Sequence, residues 1–192
     1  MIREGIILKY IHNKDVLDVG SIGQTDKYSL WDLYKQVQIK SLTGIDLQDA
    51  SKTAKSTFHS NKDVIASDKR VVYGNMENHN LGREFDVVVA GDVLEHVDNQ
   101  GLFLDNIHRH LREDGTLIIT TPNAKWINVI FRPNPTHTLW HDRYTLIRIL
   151  DCHGFRIVYF RYYYGNKKHY PFILRPFCLR QGMIAVCTKK KV

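Results

Sequence analysis

Cysteine is scarce in this chain: Cys152, Cys178 and Cys187 are the only three in 192 residues, and no Cys-x-x-Cys pair occurs. That pattern argues against a disulfide framework and a cysteine-ligated zinc site, and it fits reduced thiols in the cytoplasm. No run of about 18 apolar residues exists, so no membrane-spanning helix is expected. The N-terminal patch MIREGIILKYIHNKD lacks a small-residue cleavage site and does not read as a signal peptide. Internal repeats and low-complexity linkers are missing too, so a single domain over residues 1–192 is expected. Acid is absent from residues 156–192, which hold Arg156, Arg161, Lys167, Lys168, Arg175, Arg180 and Lys189–Lys191. With a formal net charge of +7, the chain admits an anionic small molecule or a nucleic acid as a partner.

What is present is an ordinary globular composition, 43% hydrophobic and 24% charged, enough for one substantial core. Strands and helices alternate. The pattern predicts a short amphipathic helix over 2–12, a strand over 16–19, a helix over 29–40 and a strand over 42–46. Residues 49–70 are polar and Ser/Lys-rich and fit either a poor helix or a loop. Further strands are expected at 71–73 and 85–90, the latter an apolar run suited to burial on both faces. A helix over 100–111 and the turn Asp114–Gly115 lead to a strand running up to Pro122. A helix over 143–153, stopped by Gly154, precedes strands over 155–161 and 183–188. This alternation implies an α/β fold with a mostly parallel sheet. The Pro-rich, aromatic stretch 165–182 is no standard crossover helix, which points to antiparallel pairing at one edge.

In such sheets ligands bind at the carboxyl ends of the strands. Strand one carries Asp18 and runs into Gly20, Ser21, Ile22 and Gly23, a turn in which glycine permits positive φ and close ligand approach. Strand two ends in Asp46, placed to accept hydrogen bonds from ribose hydroxyls. Strand three ends in Gly74-Asn75-Met76-Glu77, where Asn75 can meet an exocyclic amine and Met76 a flat ring. Strand four ends in Gly91-Asp92, followed by Glu95-His96, two acids and a histidine at the mouth of a buried strand.

The segments VLDVGSIG (16–23), LTGIDL (42–47), GNME (74–77), FDVVVAGDVLEHV (85–97) and LREDGTLIITTPN (111–123) resemble the class I S-adenosylmethionine-dependent methyltransferase family over about residues 14–192. The resemblance implies a Rossmann-like, seven-stranded sheet with helices on both faces and an antiparallel edge strand. It implies S-adenosyl-L-methionine as cofactor. Asp18, Gly20 and the backbone of Ser21, Ile22 and Gly23 would hold its methionine part. Asp46 would hold the ribose, with Leu47 against the adenine and Asn75 and Met76 at the adenine edge. The backbone near Gly91 would meet the amino group, with Asp92 and His96 on the methyl-transfer side. Two departures stand out. Ile22 and Gln24 occupy positions where the family usually has glycine, and Asn75 replaces a frequent acid. A dehydrogenase would need G-x-G-x-x-G, which Gly20 and Gly23 satisfy only in part.

His96, His137 and His141 are the candidate bases for a hydroxyl acceptor. The segment 132–146, with Trp140 and Tyr144, should overhang the crevice. Asp92-x-x-Glu95-His96 resembles a cation-holding cluster of quinone-biosynthesis O-methyltransferases, but no metal site is assigned. The expected acceptor is an oxygen or nitrogen of a small molecule, with a sugar or glycan precursor foremost. An RNA acceptor and a non-catalytic scaffold are the alternatives. The basic tail reads either as an acceptor-seating element or as an edge strand with a cover.

Overall fold

The computed structural model describes residues 2–22, 30–48, 64–126, 133–163 and 181–191. Its elements in chain order are α1 (Ile2–Ile11), β1 (Asp15–Val19), α2 (Leu30–Tyr34), β2 (Ile39–Asp46), β3 (Ala66–Tyr73), β4 (Phe85–Gly91), a 3-10 turn (Leu94–His96), α3 (Gln100–His110), β5 (Leu111–Pro122), α4 (Arg143–Cys152), β6 (Phe155–Tyr163) and β7 (Gly182–Lys189). The strands form one seven-stranded sheet in the order β3-β2-β1-β4-β5-β7-β6. Neighbours from β3 to β5 are parallel, and β7 runs antiparallel between β5 and β6. The chain therefore winds outward from β1 in one direction and from β4 in the other. The two adjacent strands define the switch point where such sheets leave a crevice.

Both faces of the sheet are covered. On one face Ile7 and Ile11 of α1 and Trp31, Leu33 and Tyr34 of α2 pack on Val16, Val87, Val89 and Ile118. On the other, Phe103, Leu104 and Ile107 of α3 and Leu146 and Leu150 of α4 pack on Leu17, Val88, Leu117 and Ile119. This double covering is why β4 reads as a largely apolar run and why every residue of β1 is buried. Asp142 caps α4 through Thr145 in a reciprocal capping box, and Gly154, at φ +80°, turns the chain from α4 into β6.

Several boundaries differ from the sequence reading. Only Leu30–Tyr34 of the expected 29–40 helix is helical among the described residues, and β2 begins at Ile39. Ile39 is fully buried and its N–H donates to Ile65 O, so pairing with the β3 side takes precedence over helix extension. β3 reaches back to Ala66, settling 66–70 as strand; residues 49–63 lie outside the described residues. Leu111, expected in the helix, opens β5. The register then jumps from Phe85↔Leu111 to Val87↔Thr116, so residues 112–115, with Asp114–Gly115, bulge out of the ladder. The region 164–180, including the expected cover Pro171–Phe177, also lies outside the described residues.

β1 has no exposed residue, yet it starts with a carboxylate. Lys40, Ser41 and Arg112 all donate to Asp15. Burial raises its carboxyl, but these bonds outweigh burial and bring it down to about 2 from 3.8. A depressed carboxyl stabilises the fold above its unfolded value and loses that contribution on acidification. Urea-unfolding stability should therefore drop by about 2 kcal/mol as pH falls from about 4 to about 2. Asp15→Asn should flatten that acid limb, and an unchanged limb in the variant would remove Asp15 as its cause.

Candidate active site

A cleft of about 420 Å³ opens at the carboxyl ends of β1, β2 and β4. Gly20 makes it possible. It turns at φ +74°, and a Cβ there would lie 2.5 Å from Val93 Cγ2. Only a glycine lets the end of β1 pass beneath the chain leaving β4. Gly44 plays the matching part on β2, where a Cβ would lie 2.5 Å from Ser21 Oγ. Gly20, Ser21, Asp46, Leu47, Asn75, Met76, Gly91, Asp92 and His96 all line the cleft, as does Asp18 at its floor.

The local bonds modify the expected roles. Asp18 is buried, and both its oxygens are taken: Trp31 Nε1 donates to Oδ2 at 2.7 Å and Tyr34 OH to Oδ1 at 3.1 Å. Its carboxylate thus anchors α2. Burial pushes it up to about 7 against those two bonds. The N–H of Ile22 donates to Asp46 Oδ2 at 2.9 Å, so this residue closes the loop onto β2. Asp46 Oδ1 accepts from Gln48 N at 2.8 Å. These two bonds fix the Asp46 carboxylate at the cleft wall. Gly23 and Gln24 lie outside the described residues.

Loop 74–81 forms the opposite wall. Asn75 Oδ1 accepts from Glu77 N at 2.9 Å, so its carbonyl shapes the turn and keeps one lone pair for a further donor. Met76 is buried and Leu47 is 65% exposed, presenting apolar surface on two sides. The loop is held from below by α3. Asn106 Nδ2 donates to Met76 O and His79 O, both at 2.8 Å. His110 Nδ1 meets Asn106 O, and its Nε2 accepts from Leu81 N at 3.0 Å.

The other side of the cleft is built from the chain after β4. Asp92 accepts from Thr120 Oγ1 and Tyr163 OH and pairs with Arg3. Arg3 lines the cleft from α1, 89 positions from Asp92 in sequence, and nothing in its local pattern announces that role. His96 Nδ1 lies 3.0 Å from Thr136 O. As donor to that carbonyl it leaves Nε2 as the ring's acceptor. His137 stands edge-on to it, with centroids 4.7 Å apart. Asn134 Nδ2 reaches His137 Nε2 at 3.1 Å, so the His137 proton sits on Nδ1. Burial, then the neighbouring His96, lowers its pKa below the usual imidazole value. Trp140 lies 6.0 Å from the His137 ring. His141 does not join the pair. It is buried, and its Nε2 bonds Gln100 Oε1 at 2.9 Å, which ties segment 133–141 to α3.

Glu95 is buried beside this pair. Burial and the Asp92 carboxylate push its carboxyl up. Ligand atoms of Glu95, His96 and His137 lie within 4.8 Å of one another, a donor set that could serve a divalent cation. Sequence reasoning paired Glu95 and His96 with Asp92. It had no means of bringing His137 to them across 41 positions.

The Asn106 amide offers a direct check on the loop wall. Asn106→Leu strands two backbone carbonyls and should cost about 2 kcal/mol of stability. It should also weaken binding of S-adenosylhomocysteine more than a core variant with at least as large a stability loss, such as Ile107→Ala. Equal binding in both variants would dissociate the loop from ligand recognition.

The chain is similar to known proteins by family, by sequence and by structure. The family model for a methyltransferase domain matches residues 8–161. A ubiquinone biosynthesis O-methyltransferase from Nitrobacter winogradskyi is 32% identical over 83 residues, 43% of this chain and 31% of the relative. The matched stretch is thus under a third of that relative's length. An S-adenosylmethionine-dependent methyltransferase from Clostridium acetobutylicum superposes with TM-score 0.69 at 12% identity, covering 99% of this chain and 89% of the other. A Burkholderia thailandensis 1,6-didemethyltoxoflavin-N1-methyltransferase, solved with S-adenosylhomocysteine, gives TM-score 0.67 at 18% identity, covering 99% and 77%. These likenesses support the fold. With the cleft at the β1/β4 switch point and a family match over most of its length, the chain belongs to the class I S-adenosylmethionine-dependent methyltransferase family.

Proposed function

We propose that this domain transfers a methyl group from S-adenosylmethionine to a hydroxyl of a small molecule. The cleft fits the cofactor in size and in chemistry. About 420 Å³ lies in the usual range for such ligands. Gly20 leaves backbone bare for the methionine part, the fixed Asp46 carboxylate suits ribose hydroxyls, and Leu47 and Met76 offer apolar surface to a purine. When bound, the cofactor supplies an activated methyl on a sulfonium, which is its own leaving group. The protein's part is then to align the acceptor and take its proton.

His96 is the residue that carries this reading. It lines the cleft, and its Nδ1 contact with Thr136 O directs Nε2 as the proton-accepting atom. His137, edge-on, restrains the ring. His141, bonded to Gln100, keeps the overhanging segment in place.

A sugar or glycan precursor is the narrower reading. Glu95 Oε2, Trp126 Nε1 and His137 Nδ1 are buried and have no hydrogen-bond partner among the described residues. They belong to the chain beyond β4, the chain beyond β5 and the overhanging segment. Buried polar atoms need partners, and an acceptor with several hydroxyls would supply them if its binding opened this region beside the cleft. Trp140 and Tyr144, 39% and 70% exposed, present flat surfaces for the apolar face of a sugar ring. The name of the Nitrobacter relative, a ubiquinone biosynthesis O-methyltransferase, makes an oxygen on a quinone-type ring precursor the second reading, for which a catechol serves as probe.

A panel of sugar nucleotides, methyl glycosides and catechols, assayed for methylation, separates these readings. Methylation of a glycoside and not of a catechol is expected; the reverse would replace the sugar by a phenol. Asp46→Ala should weaken S-adenosylhomocysteine binding by at least about 100-fold, through loss of two charge-assisted hydrogen bonds. His96→Ala should lower kcat by about 100-fold and leave the cofactor Kd within about twofold. Retention of full activity without His96 would shift proton removal to solvent or another group.

A further inference from the structure

We propose that Tyr163, at the far edge of the sheet, is a positioning residue for methyl transfer that acts through Asp92. This rests on the reading of the cleft as the cofactor site.

Asp92 sits just past β4 in a left-handed conformation, φ +54°. A residue with a Cβ holds that conformation only where its surroundings enforce it. Three separate elements do so. Thr120 of β5 accepts from Asp92 N through both its carbonyl and its Oγ1, each at 3.0 Å, and its hydroxyl donates to Asp92 Oδ1 at 3.0 Å. Tyr163 of β6 donates its hydroxyl to the same Oδ1 at 3.0 Å. Arg3 of α1 pairs with Oδ2.

The reach of Tyr163 is the unexpected part. In the strand order β4-β5-β7-β6, two strands separate it from Asp92. Its ring crosses β7 over Gly182, its register partner. A Cβ on Gly182 would lie 2.3 Å from Tyr163 Cζ and 2.5 Å from its hydroxyl oxygen. Glycine at 182 thus opens the path along which the phenol reaches the switch point. The Arg3 guanidinium lies 5.5 Å from the centroid of the same ring, so Arg3 contacts both Tyr163 and Asp92. Burial and the Asp92 charge raise the phenol's pKa, which keeps it a donor across the working pH range.

Asp92 sets the path of the next four residues. Val93 is the residue that packs against Gly20, and the turn Leu94–His96 presents the base. Holding Asp92 therefore sets both the glycine floor of the cleft and the direction of His96. Through Tyr163 the antiparallel edge of the sheet, otherwise remote from the crevice, becomes part of the catalytic support. Such fixing from behind is how a reacting geometry is kept within tolerance.

Tyr163→Phe keeps the ring over Gly182 and removes only the hydroxyl. Binding of S-adenosylhomocysteine, measured by calorimetry, should weaken about tenfold. Asp92→Gly, which tolerates the left-handed turn, should weaken it as well. The double variant should bind no worse than Asp92→Gly alone, because the proposed action of the phenol runs through Asp92; action through Arg3 or a role confined to packing would make the two losses add. Gly182→Ala, which pushes the ring off its path, should reproduce the Tyr163→Phe loss independently. Wild-type affinity in Tyr163→Phe, or additive losses in the double variant, would overturn the proposal. Failure of the unmodified protein to bind S-adenosylhomocysteine would instead overturn the cofactor reading on which it stands.

Discussion

The central strand β1 has no exposed residue and yet carries two carboxylates, and much of the molecule is arranged around satisfying them. At its start, Asp15 collects Lys40, Ser41 and Arg112, and with Asp86 it locks the amino-terminal edges of β1, β4 and β5 together. Near its end, Asp18 draws Trp31 and Tyr34 down onto the sheet. A buried carboxylate without donors is costly, so α2 is fixed by an electrostatic requirement as much as by apolar packing. The two ends of one strand thus serve different purposes, one closing the bottom of the sheet and the other seating the helix behind the glycine turn.

That seating explains how an irregular glycine loop can still frame a cleft. Where further glycines would let the loop approach a ligand, Ile22 is buried and its N–H is tied to Asp46. The loop is thereby braced against β2, and the same contact orients the Asp46 carboxylate. Ser21 fits over Gly44 as Val93 fits over Gly20. Close packing between neighbouring turns replaces some of the flexibility that extra glycines would give. On the opposite wall, Asn106 and His110 do comparable service for loop 74–81, converting a turn of few apolar contacts into a fixed surface.

The side proposed for the acceptor is assembled differently. Its pieces come from α1, the turn after β4, the end of β5, segment 133–141 and β6, which are far apart in the chain. Thr138 ties the overhanging segment to Glu95 O and Val97 O, and His141 ties it to Gln100. The two imidazoles at His96 and His137 meet only because this segment is pinned at both places. Polarity is concentrated here, with Glu95 buried and its carboxyl raised, in contrast to the apolar surfaces offered toward the expected purine. The cleft therefore has a chemically asymmetric pair of walls, one suited to holding a cofactor and one to handling an acceptor's proton.

The sequence by itself determined the sheet, its parallel winding and the ends of its strands, because strand burial and glycine turns are local patterns of period and composition. Gly20, Asp46, Met76, Gly91, Asp92 and His96 were legible for the same reason: each lies at or just past the end of a strand, and parallel winding brings strand ends to one edge. The family match over 8–161 agrees with the fold, and these residues line the cleft. The β2 and β3 boundaries were less legible, since edge pairing overrode the helical and loop propensities of 36–41 and 66–70. Only the tertiary structure decided that Asp18 faces α2, that His137 and not His141 stands beside His96, and that Arg3 and Tyr163 converge on Asp92. The contacts that build the proposed acceptor side span 28 to 89 positions, and no periodic signal encodes a pairing between side chains that meet only after the sheet has formed.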